Sequence, residues 1–82
     1  MGPEDVRRHL RKKPFQPFRI TLTDGRTLDV RHPELVMVGF TALVVGLPRP
    51  TEPEPIYDRL VDVSLSHVMQ IEPLEPSATS KA

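Results

Sequence analysis

Ten prolines, at positions 3, 14, 17, 33, 48, 50, 53, 55, 73 and 76, cut this 82-residue chain into short segments. Proline fixes φ and has no N–H to give to a helix or a sheet ladder, so it is accommodated at a first helical turn, at strand ends and in loops. Element boundaries can therefore be read from these positions before any other pattern is consulted. Pro3, Glu4 and Asp5 read as a first helical turn, with proline at N1 and acids at the positive end of the helix dipole. The expected helix covers 3–12 and carries one narrow apolar stripe, Val6 and Leu10, on an otherwise basic surface. So short a helix is not stable alone and has to lie on something larger. Pro14 and Pro17 stop it, and Phe15 and Phe18 are expected to anchor the extended segment that follows.

Beyond Pro17 the periodicity becomes that of strands. Phe18, Ile20 and Leu22 alternate with polar residues, as do Leu28 and Val30 beyond Asp24-Gly25, which reads as a hairpin. A two-residue loop would set Ile20 opposite Asp29 and place the apolar residues of the two strands on opposite faces. A three-residue loop, Thr23-Asp24-Gly25 with Gly25 left-handed in a G1 bulge, pairs Ile20 with Leu28 and Phe18 with Val30, and is the expected form.

His32-Pro33-Glu34 breaks the strand, and Leu35–Val38 and Ala42–Val45 then read as a second hairpin joined through Gly39-Phe40-Thr41. Apolar residues at successive rather than alternate positions imply strands covered on both faces. The helix can cover part of the second face and a neighbouring subunit the rest, so a homo-oligomer is expected, with Val36, Val38, Phe40 and Val44 as interface candidates. Residues 48–56, with four prolines among glutamates, read as a stiff solvated loop. Asp58 to Leu65 resumes alternation, with Val61, Val63 and Leu65 on one face. Ser66-His67 then turns the chain into a short strand, Val68 to Glu72, carrying Met69 and Ile71. Pro73 and Pro76 close the fold, and the tail 75–82 is expected to be disordered. The reading is thus one domain over 1–74, mainly β, with an N-terminal α-helix and five or six short strands.

A domain of this size buries only about 60 to 65% of the surface its unfolded chain exposes, which leaves a thin core and favours subunit contacts. With no cysteine, disulfides and thiolate metal sites are excluded. No export signal and no apolar run of membrane-spanning length is found, so a cytoplasmic protein is expected. The net charge of zero hides a polarity: residues 1–32 hold eight Lys/Arg against four Asp/Glu, and residues 33–82 hold three against seven.

Helix, hairpins, an Asp-Gly first turn and a tight turn before the last strand resemble the layout of SH3-like barrels, and the Sm-like subtype in particular; the resemblance implies that the strands form a small five- to six-stranded barrel. Phe18, Ile20, Leu22, Asp24 and Gly25 are similar to the first Sm motif. Ser66 to Pro73 looks like the end of the bacterial Sm-like RNA chaperone family, Hfq, with serine in place of the lysine before His67. The chain also resembles a group of short uncharacterised bacterial proteins through Pro14–Arg19, Asp24–Arg26 and His32–Glu34, over residues 3 to 74; that resemblance implies no function.

No catalytic team emerges. His32 with Glu34 lacks further metal ligands and reads as a turn. Asp62, Ser64, Ser66 and His67 suggest a triad, but no nucleophile elbow accompanies them. Gly25, Gly39 and Gly46 are too far apart to cradle phosphate and read as turn and bulge glycines. Neither an enzyme nor a cofactor is expected. Arg7, Arg8, Arg11, Lys12 and Lys13, with Arg19 extending them, form a candidate patch for RNA or another anion. A nonenzymatic oligomeric interaction module, binding its own copies or a protein partner, is the first expectation; an Sm-like single-stranded RNA binder is the second.

Overall fold

A computed structural model of the chain describes residues 1–48 and 57–74. The element order is α1 (Pro3–Leu10), β1 (Phe18–Leu22), β2 (Thr27–Val30), a 3-10 turn (Pro33–Leu35), β3 (Val36–Val38), β4 (Ala42–Pro48), β5 (Tyr57–Ser64), a second 3-10 turn (Leu65–His67) and β6 (Val68–Pro73). The strands form two antiparallel three-stranded sheets, ordered β2-β1-β6 and β3-β4-β5. Six strands are thus present, but their hydrogen bonds do not close into one barrel among the described residues. The proline-rich loop lies, after Pro48, outside the described residues, as does the tail 75–82.

The first hairpin adopts the three-residue loop. Phe18 pairs with Val30 and Ile20 with Leu28, and the Leu22 N–H donates to the Arg26 carbonyl at 2.8 Å. Gly25 closes the turn at φ +94°, a left-handed conformation that favours glycine over any side chain with a Cβ. The Asp24 carboxylate accepts from the Arg26 backbone N–H at 3.0 Å and fixes the bend.

Several boundaries differ from the sequence reading, among them the start and end of β5, which runs Tyr57–Ser64 and leaves Leu65 to the second 3-10 turn. The helix ends at Leu10 with Arg11 as its C-cap, two residues short of the expected end, because Lys13 precedes a proline and is pushed out of the helical region. Leu35 belongs to the 3-10 turn begun by Pro33, so β3 starts at Val36. Gly46 is neither turn nor bulge; it lies inside β4 opposite Leu60.

The core is filled from one face of each sheet. Phe18, Ile20, Leu22, Leu28, Val30 and Val68 from the first sheet meet Val36, Leu43, Val45 and Val63 from the second, joined by Val6 of α1 and Leu65. No polar or charged side chain is buried among the described residues. The helix adds Val6, which is completely buried, while His9 lies 5.4 Å from the Phe18 ring and Phe15 meets Phe18 edge-on. In β6 a register shift puts both Val68, opposite Leu22, and Ile71, opposite Ile20, toward the core and leaves Met69 outside. Simple alternation cannot do this; the bulged residue supplies the extra step.

Leu43→Ala is expected to cost about 2 to 5 kcal/mol, enough to unfold much of a domain this small, whereas Met37→Ala stays within about 0.5 kcal/mol. Chemical denaturation of both variants checks the assignment of faces; equal effects would contradict it.

Candidate functional site

The β3-β4-β5 sheet has two unlike faces. Pairing aligns Val36 with Val45 and Val61, and Val38 with Leu43 and Val63, all toward the core. The alternate positions, Met37 beside Val44 and Asp62, Ala42 beside Ser64, and Gly46 beside Leu60, form the outer face. The middle strand presents only Ala42, Val44 and Gly46 there, all small. Larger side chains flank it, Met37 at 69% exposure on β3 and Leu60 at 59% on β5, while Asp62 opposite Val44 and Ser64 opposite Ala42 make part of the face polar. Phe40 stands at its hairpin end, 93% exposed. Gly39 in that hairpin is held close: its N–H donates to the Ala42 carbonyl at 2.7 Å, and a Cβ there would approach the same oxygen to 3.2 Å.

Of the interface candidates, Phe40 and Val44 lie on or beside this face, whereas Val36 is buried in the core and Val38 packs against it from within. The consecutive apolar run does not mean that one chain covers both faces of the strands. It covers one, and the other stays open. Sequence reasoning passed over Met37 and Leu60; Leu60 carried a signal, an apolar residue at an outward position of the alternating run Asp58 to Leu65, and Met37, inside an unbroken apolar run, carried none.

The basic patch is largely neutralised from within the chain. Arg7 bonds Glu4 at 3.1 Å, Arg8 bonds Asp5 at 2.9 Å, and Arg11 reaches Glu4 at 3.3 Å. Arg19, expected to extend the patch, lies on the other sheet and holds Asp29 at 2.8 Å and 3.4 Å through two nitrogens. Of the six patch candidates, Lys12 and Lys13, both exposed, are the two with no ion pair among the described residues.

The residues of the triad pattern do not assemble as one. Ser64 Oγ lies 2.9 Å from Ser66 Oγ, and His67 Nδ1 lies 3.4 Å from Thr23 Oγ1, so neither serine is bonded to the imidazole. Thr23, Asp24, Arg26, Asp62, Ser64 and His67 share an open polar cleft of about 290 Å³ beside the first turn. Arg26 is turned onto Asp24 there, at 2.9 Å. No cluster of three or more His, Cys, Asp or Glu suited to a metal occurs among the described residues, and no helix among them is long and apolar enough to cross a membrane.

Three carboxyls are held below their ordinary range: Asp29 chiefly by the Arg19 hydrogen bond, Asp24 by the Arg26 backbone N–H, and Asp5 by the Gly2 backbone N–H. A carboxyl more acidic in the folded state stabilises the fold above its unfolded pKa, and that contribution disappears as pH falls through the folded value. The thermal midpoint should hold from pH 7 to about pH 5 and then fall, with a shallower fall in Asp29→Asn. Identical acid profiles for the two proteins would show that the Arg19–Asp29 pair contributes nothing.

No known family model matches the chain, and neither a curated protein nor a solved structure matches it.

Proposed function

We propose that this protein is a nonenzymatic interaction module on a small SH3-like or Sm-like scaffold, and that it works as a homo-oligomer through the β3-β4-β5 sheet. The observation that carries the reading is the outer face of that sheet, where Met37, Val44 and Leu60 lie together with Phe40 at the hairpin end. Single exposed apolar residues are ordinary on protein surfaces, but a contiguous set across three strands marks a contact surface. A thin core supports the same reading, since small domains without disulfides gain stability from subunit contacts.

RNA binding ranks second. Four of its six candidate cations, Arg7, Arg8, Arg11 and Arg19, already have carboxylate partners. A phosphate backbone would have to displace them, and the neutral chain offers little long-range attraction to assist it.

Molar mass measured by light scattering is expected to exceed the 9.3 kDa of one chain and to rise with concentration. Leu60→Asp, on the outer face and on β5, should weaken self-association about tenfold or more while leaving the circular dichroism spectrum unchanged. A strict monomer at high micromolar concentration would contradict the module reading. Nucleic acid retained at low salt and lost steeply as salt rises would favour the RNA reading instead.

A further inference from the structure

The β3-β4-β5 sheet has two edges, and among the described residues the β5 edge offers the longest regular run with no strand beside it; across an open cleft from Asp62 and Ser64 lie Thr23, Asp24 and Arg26. Its length is eight residues with no proline and no glycine, and its only hydrogen-bonded neighbour among the described residues is β4. The other edge strands carry features that discourage pairing. β6 has an irregular register around Met69 and ends at Pro73; β2 has four residues, soon followed by Pro33; β3 has three and packs near α1. Bulges, prolines, charges and short length blunt an edge; β5 has a bulge at Asp58 and a charge at Asp62, but runs in regular register from Arg59 to Ser64.

The direction of the backbone groups on β5 follows from the ladder. The Leu65 N–H donates to the Thr41 carbonyl at 2.8 Å, in the same register as the pairs Leu43–Val63 and Val45–Val61. Antiparallel alternation then turns the polar groups of Val63, Val61 and Arg59 toward β4 and those of Ser64, Asp62 and Leu60 outward. Leu60, Asp62 and Ser64 therefore offer their N–H and C=O groups to a further strand.

We propose that two copies of this chain pair antiparallel through β5 about a two-fold axis, with Val61 of one copy opposite Val61 of the other, to form a continuous six-stranded sheet. This rests on the reading of the β3-β4-β5 sheet as the contact surface. The register follows from faces and charges. An isologous antiparallel pair must be centred on a residue, since a centre between residues would set an inward side chain opposite an outward one. Centred on Leu60, the regular ladder stops one residue from the axis at the Asp58 bulge; centred on Asp62, it puts Asp62 opposite itself. Like charges directly opposite are destabilising. Centres nearer either end shorten the ladder. Centred on Val61, the regular pairs are Leu60 with Asp62 and Arg59 with Val63, and no like charges face each other in them. The same centre makes Leu60–Asp62 a hydrogen-bonded pair on each side of the axis, matching the outward groups already identified.

The chain has no cysteine, so a single introduced thiol reports on its own position. Opposed Val61 residues form a non-hydrogen-bonded pair with Cα atoms about 4.5 Å apart, within disulfide range. Val61→Cys is expected to give a covalent dimer on mild oxidation, whereas Met37→Cys on the outer face stays uncrosslinked. Leu60→Asp sets two new Asp–Asp oppositions and should weaken the dimer about tenfold or more. Adding Asp62→Lys to the same chain turns both into Asp–Lys pairs and should restore it. An oligomer that crosslinks through Met37→Cys and not Val61→Cys, or a Leu60→Asp defect that Asp62→Lys fails to rescue, would overturn the edge pairing and leave the interaction module standing. A strict monomer would overturn both.

Discussion

Everything in this fold depends on two small sheets turning one apolar face each toward the same interior. Phe18, Ile20, Leu43, Val45 and Val6 are the largest fully buried side chains, and they come from both sheets and the helix. Removing any one layer would expose the others to water. The helix is held to this interior by Val6, with His9 and Phe15 packed on Phe18, so it closes the core and gains from it the stability that eight residues lack alone.

The same economy leaves the outer face of the second sheet partly apolar. One helix and two three-stranded sheets provide enough surface to cover one side of each sheet. On the first sheet the uncovered side is mostly polar, with Arg19 paired to Asp29, although Met69 is exposed there too. On the second, Met37, Val44 and Leu60 lie with Asp62 and Ser64. The larger apolar share of the second outer face is the physical basis for assigning contact to that sheet, whose β5 edge has no further strand beside it among the described residues.

Much of the fold was legible in the residues because local rules sufficed. Face parity and Asp24-Gly25 were enough to select the three-residue turn, and the break at Pro33 was visible as such. What was not legible depended on tertiary partners. No period distinguishes the buried Val36 from the exposed Met37 beside it, because the helix and the opposite sheet decide which is covered. The extra residue at Met69 turns that side chain outward while Val68 and Ile71 stay inward, and leaves no trace in a six-residue run. The pairing of Glu4 with Arg7 and Asp5 with Arg8 was legible at i, i+3 spacing, whereas that of Arg11 with Glu4, seven residues away, and of Arg19 with Asp29 across the hairpin depended on the fold.

Amide hydrogen exchange along β5, followed by NMR at low and high protein concentration, tests the account most directly. The amides of Val61 and Val63, bonded to β4, are expected to be protected at both concentrations, while those of Leu60 and Asp62 exchange freely in dilute solution and become protected as the chain associates. Protection of Leu60 and Asp62 that never changes with concentration would contradict it.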